Sequence, residues 1–221
     1  MKNKNKIILD LCGGTGAWSK SYKDAGYDVR LITLPEYDII ETEIDSNKEL
    51  WFKGFKEGQL IKEMPILCNE VYGILAAPPC TVFSKAAWNI KKKERKFNEG
   101  MEIVEACFKV IWTIQKKGAP LKFWALENPM GYLYNFLGYP HFYFQPWQFG
   151  EKGMTATKRT AIWGYFNKPV KTVHKRTIPK INSHSQANKQ LPENKEWYAA
   201  SAEKRAITPA GFAKAFFKAN P

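Results

Sequence analysis

The run Lys6-Ile7-Ile8-Leu9-Asp10-Leu11 is a short apolar stretch that empties directly into Cys12-Gly13-Gly14-Thr15-Gly16. A strand of that length ending in a glycine turn, with a helical segment from Ala17 to Ala25 behind it, predicts a strand–turn–helix unit. The pattern recurs. Tyr27 to Leu34 reads as a second strand, stopped by Pro35, and Val71 to Ala77 as a third, stopped by Pro78-Pro79. Phe97 to Lys117 carries Ile103, Val104, Cys107, Phe108, Ile111 and Ile114 at helical spacing. Phe123 to Leu126 is a further strand, broken by Asn128-Pro129, and aromatic strands follow near Phe142–Trp147 and Thr160–Phe166. A last helix spans Thr208–Ala219, with Pro209 in its first turn. Strands alternating with helices predict an α/β fold with a mostly parallel sheet. Ligands of such sheets sit beyond the carboxyl ends of the strands, so the turns after Asp10, Ala77 and Leu126 are expected to face one crevice.

Charge narrows the partners. The 34 Lys+Arg against 21 Asp+Glu give a formal net charge of +13, which favours a polyanion such as nucleic acid, although solubility alone accounts for an excess of charge in many chains. Two stretches concentrate it. Lys85 to Lys96 holds six basic residues against one acid, and Tyr165 to Arg205 holds nine against three with few apolar positions. No apolar run approaches the ~20 residues of a membrane-spanning helix, and the N-terminal Met1–Leu11 lacks the cleavage site of a secretory signal; a cytoplasmic chain is expected. Cys12, Cys68, Cys80 and Cys107 lie outside any CxxC spacing, and His141, His174 and His184 have no partners at ligand spacing, so no metal site is expected.

Three segments carry the chemistry. Glycines between a strand and a helix let the backbone approach a ligand, and a helix N-terminus offers free N–H groups to an anion; a tight turn needs glycine for its own sake as well. Ala77-Pro78-Pro79-Cys80-Thr81-Val82-Phe83-Ser84 fixes a cysteine rigidly at a strand end, where a nucleophilic thiolate needs partial exposure; a small buried residue is the alternative. Leu126-Glu127-Asn128-Pro129 puts a carboxylate at a neighbouring strand end, able to exchange a proton with a substrate ring; a turn acid is the alternative.

Taken in order, DLCGGTGAWS, APPCTVFS and ENP resemble the DNA cytosine carbon-5 methyltransferase family, and Thr157-Lys158-Arg159-Thr160 before the strand Ala161–Gly164 looks like its arginine-bearing motif. The resemblance runs from about Ile7 to Gly164, with a looser fit at the C-terminal helix. It implies a Rossmann-like S-adenosylmethionine-dependent fold with helices on both faces of the sheet, in a catalytic domain over residues 1–164. Segment 165–206 stands in place of a target recognition domain, and 207–221 returns to the catalytic domain. By the same resemblance Cys80 is the nucleophile on carbon 6 of the ring. Glu127 holds the ring N3 and exocyclic amine, and Arg159 takes the base O2 or a nearby phosphate. The cofactor falls to Asp10, Cys12, Gly14, Thr15, Gly16, Ala17 and Trp18, to Pro78, and to Glu36, Asp38 and Ile39 beyond the second strand. The partner is duplex DNA, bound by a monomer through Ser84, Lys85, Trp88, Lys91, Lys92, Lys93, Arg95 and Lys158. Carbon 6 is inaccessible in a stacked duplex, so the base must be flipped out. The setting implied is the cytoplasm of a bacterial or phage-infected cell.

Departures from the family pattern set further expectations. Ile32-Thr33-Leu34-Pro35 stands where the family has an acid for the cofactor ribose, leaving Glu36 as the nearest substitute. Thr81 replaces a usual Gln, Pro129 a Val, and Ile207–Phe212 only loosely replaces the last motif's Gly-Asn pair. The slot from Tyr165 to Ala206 has 42 residues, whereas specific protein–DNA interfaces bury about 1,000–2,500 Å² of protein surface. Short or relaxed specificity follows, or a partner that supplies it. The same residues leave two other readings: an RNA, free cytidine nucleotide or modified methyl donor on the same fold, and a non-catalytic nucleic-acid-binding module.

Overall fold

In the computed structural model, described over residues 3–47, 49–85, 91–117, 121–152, 158–176 and 206–221, a six-stranded sheet forms the centre. Its strands are β1 (Ile7–Leu11), β2 (Asp28–Ile32), β6 (Val71–Ala76), β7 (Phe123–Pro129), β8 (Phe142–Phe144) and β9 (Thr160–Tyr165), in the order β2-β1-β6-β7-β9-β8. The sheet is mixed. β2, β1, β6 and β7 pair in parallel, whereas β9 runs antiparallel to both β7 and β8, so β8 points the same way as β7. The strands are apolar almost throughout because both faces are covered: β1 is buried at all five positions.

Alternate residues divide between two cores. Ile7, Leu9, Leu11, Leu126, Ala161 and Trp163 face the long helix α2 (Phe97–Lys116), which contributes Val104, Cys107, Val110, Ile111 and Ile114. Ile8, Phe123, Ala125 and Ile162 face the opposite way, onto Trp18, Tyr22 and the C-terminal helix α4 (Ala210–Ala219). The short α1 (Lys20–Asp24) supplies Tyr22, whose hydroxyl donates to the Asn220 carbonyl at 2.7 Å, and the single turn α3 (Tyr134–Leu137) follows β7. Phe212 of α4 stacks on Phe144 with centroids 4.0 Å apart and touches Trp18 and Phe149. Helices therefore lie on both faces.

The sequence pattern gave no account of residues 38–67, which form an antiparallel meander, β3 (Asp38–Ile44), β4 (Glu49–Lys56) and β5 (Gln59–Leu67). Leu50, Phe52 and Ile66 turn toward α2 and join its core, while the other face carries charge, including Lys53 bonded to Glu43 at 2.6 Å. Glu57-Gly58 joins β4 to β5 with φ of 53° and 79°, the left-handed pair that a two-residue hairpin turn requires. β7 also runs past its expected break, through Asn128-Pro129. Beyond Leu126 it has lost β6 as a neighbour and pairs with β9 alone, a position where a missing N–H is tolerated. Among the described residues no helix is long and apolar enough to cross a membrane.

Candidate active site

Leu11, Ala76 and Leu126 stand level across β1, β6 and β7, so the three chemistry-bearing segments leave the sheet side by side. The first is the glycine loop. Cys12, Gly14 and Gly16 have φ of 55°, 55° and 70°, and the loop folds back over the Asp10 side chain. A Cβ on Gly13 would stand 2.3 Å from Asp10 Oδ1, so only glycine lets the turn close. Ser19 Oγ donates to Asp10 Oδ2 at 2.5 Å and approaches the Gly16 carbonyl at 3.2 Å. Burial pushes the Asp10 carboxyl up to about 6, against the Ser19 hydrogen bond that lowers it. Asp10 Oδ1 and the Trp18 indole nitrogen are buried without a hydrogen-bond partner among the described residues. Trp18 itself, expected against the cofactor, turns its ring into the core beside Phe212 and Phe216 and is 1% exposed.

The second segment is a turn clamped from three sides. Phe83 N–H and Ser84 N–H donate to the Cys80 carbonyl at 3.0 and 2.8 Å, leaving Cys80 half-buried at the strand end. Asn128 Nδ2 donates to the Pro78 carbonyl at 3.0 Å, and Tyr132 N–H to the Phe83 carbonyl at 2.8 Å. Gly131 passes so close that a Cβ there would meet the Phe83 oxygen at 2.1 Å. The third clamp is Arg95. Arg95, assigned to DNA, is 8% exposed and gives Nη1 to the Val82 and Ser84 carbonyls, both at 2.9 Å. Arg95 thus ties the turn that carries Cys80 to the start of α2. Around the Tyr132 ring gather Arg95 at 5.0 Å and Lys85 and Lys92 at 5.7 Å each. Lys91, Lys92 and Lys93 are exposed; Trp88 lies outside the described residues, as does Thr157.

Glu127, the third segment, lies on the floor of a cleft of about 340 Å³ that Ala17, Lys20, Lys158, Thr160, Thr208 and Pro209 also line. Withdrawal from water raises its pKa, and Lys158 opposes that rise. Side chains alternate across a strand, and Thr160 pairs with the inward Phe144. Lys158 therefore shares Glu127's side of the sheet and Arg159 the other. The Arg159 guanidinium lies 5.5 Å from the Tyr143 ring, while its carbonyl accepts from Met130 N–H at 2.8 Å. The cation beside Glu127 is Lys158. Glu151, across the cleft, caps α4 by accepting from Gly211 N–H at 2.7 Å.

The residues expected around the cofactor ring are less open. Glu36 is exposed and accepts from Lys62 at 2.8 Å, which holds its pKa below the usual carboxylate range. Asp38 accepts from Ile40 N–H at 3.0 Å, and Ile39 is a core residue. Pro78, Ser84 and Lys85 lie on the Cys80 turn, and Thr15 is exposed at the tip of the glycine loop. Segment 177–205, most of the expected recognition slot, is outside the described residues. Among the described residues no three His, Cys, Asp or Glu side chains gather in a way that would hold a metal ion. The chain matches no protein-family model, and no curated protein matches it in sequence.

Proposed function

We propose that the chain is a DNA cytosine carbon-5 methyltransferase that uses S-adenosylmethionine. The observation that carries the reading is the clamp between Asn128 and Pro78: it ties the strand end bearing Glu127 to the turn bearing Cys80, beside a glycine loop. A tight turn or a core cysteine alone requires no such tie. The fit of the cofactor is supported by the open side of that loop, where a Cβ on Gly14 would meet nothing within 4 Å, and by its junction with the Glu127 cleft through Ala17 and Lys20. When bound, S-adenosylmethionine supplies an electrophilic methyl group for carbon 5 of the activated ring.

The chain's own residues do the rest. Cys80 Sγ adds as the thiolate to carbon 6 of the flipped base, which moves electron density to carbon 5. Glu127, whose recess favours the protonated carboxyl, donates to ring N3 and accepts from the exocyclic amine, stabilising the adduct. Loss of the carbon-5 proton then expels Cys80. Lys158 keeps the Glu127 pKa from rising further, and the Lys85–Lys92 cluster over Tyr132 offers charge to the DNA backbone at the mouth of the site. A duplex carrying 5-fluorocytosine tests this, because fluorine cannot leave as the proton does. With S-adenosylmethionine present, a denaturation-resistant protein–DNA complex is expected from the native chain and none from Cys80→Ala. Free DNA in the native reaction, or a complex that survives in Cys80→Ala, overturns the reading.

A further inference from the structure

We infer that Tyr143, Arg159 and Lys171 form a binding site for a single strand of DNA, with one base stacked on the Tyr143 ring and a phosphate held by the two cations. The inference rests on the nucleic-acid side of the proposed function but not on methyl transfer. Tyr143 lies on β8, the edge strand of the sheet, and is 54% exposed. Its neighbours Phe142 and Phe144 turn toward the α4 core, so Tyr143 stands on the opposite face, that of Ala161 and Arg159. Arg159 and Lys171 approach its ring at 5.5 and 5.6 Å, and Lys171 lies 5.2 Å from Phe142.

Some exposed lysines sit on carboxylates, as Lys20 does on Asp24 and Lys62 on Glu36. Among the described residues neither Arg159 nor Lys171 has an acidic partner. Partial burial without a counter-charge holds the Lys171 pKa below its ordinary value, a cost that an incoming phosphate relieves. An aromatic face flanked by unpaired cations is what a single strand needs: every base has a stacking surface, and duplex bases do not offer theirs.

Tyr143 and the Glu127 cleft lie on opposite faces of the sheet, so a strand that reaches both rounds the edge that β8 forms. Asn128, Ala161 and Tyr143 are in register across β7, β9 and β8, which puts Tyr143 two strand spacings, about 10 Å, from the residue after Glu127. Stacking is also tolerant of sequence, in keeping with a chain expected to read few bases.

The test is fluorescence anisotropy with a labelled mixed-sequence 20-nucleotide single-stranded DNA, without cofactor, from low to moderate salt. Tyr143→Ala is expected to raise Kd about ten-fold, the size of one lost stack, with Tyr143→Phe within about two-fold of the native chain. Lys171→Gln is expected to flatten the slope of log K against log salt by about 0.7, one phosphate contact. Thermal unfolding checks that each variant is folded. A native chain that does not bind the strand, an unchanged Kd in Tyr143→Ala, or an equal loss in Tyr143→Phe overturns the site. Strand binding that depends on Tyr143 in a protein that transfers no methyl group leaves the site standing and removes the proposed reaction.

Discussion

Asp10→Asn should change how stability depends on pH, in a direction and amount that follow from the buried carboxyl. Asp10 is wholly enclosed beneath the glycine loop, and its pKa in the folded chain is about 6 against 3.8 ordinarily. A carboxyl whose folded-state pKa is raised binds its proton more tightly folded than unfolded, so stability falls as pH rises from about 3.8 to about 6 and is level above that. Each pH unit of that displacement is about 1.4 kcal/mol, so the native chain loses about 2 kcal/mol between pH 4.5 and pH 7.5 on this account. An Asn keeps the acceptor for Ser19 Oγ and cannot ionise. Its amide also faces the space where Asp10 Oδ1 has no partner, a penalty that is independent of pH and cancels when two pH values are compared. The assay is thermal unfolding of both chains at pH 4.5 and 7.5. At roughly 2–4 °C per kcal/mol for a chain of this size, the Tm of Asp10→Asn relative to native should be about 4–8 °C higher at pH 7.5 than at pH 4.5. A Tm difference that is the same at both pH values, or larger at the acid one, refutes the reasoning.

Asn128→Ala removes the bond to the Pro78 carbonyl and leaves that oxygen buried; a loss of about 1–3 kcal/mol in chemical denaturation is expected, with methyl transfer falling further than stability because the Cys80 turn is released. An effect confined to stability would detach the clamp from catalysis. Lys158→Gln removes the cation that lowers the Glu127 pKa. If protonated Glu127 is the active form, activity declines as pH rises through that pKa, so the alkaline limb of kcat/KM should move to higher pH in the variant; a limb that stays or moves to lower pH contradicts the assignment. Phe212→Ala opens the aromatic stack under α4, and about 3–5 kcal/mol of destabilisation should appear in denaturant titrations. A loss under 1 kcal/mol would mean that α4 is held by its terminal bonds to Tyr22 and Asn167 instead.

What could be read from the sequence was whatever local pattern alone decides. β1 and β6 are fully or largely buried strands and announce themselves as apolar runs between punctuating Gly and Pro, while α2 repeats its buried residues at helical spacing. That three such strand ends bring Cys80, Glu127 and the glycine loop together follows from the geometry of parallel sheets. The β3–β5 meander escaped because only one of its faces is buried and the other is studded with Glu41, Glu43, Lys53 and Glu63. Its one clear signal was Glu57-Gly58 between two alternating stretches, Leu50–Gly54 and Leu60–Ile66. The parity at Lys158-Arg159 was out of reach for a different reason. Which of the two joins Glu127 is set by how β9 pairs with β8, a long-range register that no neighbouring residue encodes. Arg95 sits in a run of Lys and Arg that reads as a solvated face, and only the folded turn reveals the two carbonyls that draw it inward. Tyr132, gathering three cations, likewise carries no sequence signal.

The most direct test of the central claim is transfer of a labelled methyl group from S-adenosylmethionine to unmethylated duplex DNA, followed by mass spectrometry of the nucleosides. The account predicts 5-methylcytosine with the native chain and none with Cys80→Ala in a variant that still folds and binds DNA. Label on an exocyclic amine, or 5-methylcytosine undiminished in Cys80→Ala, would contradict it.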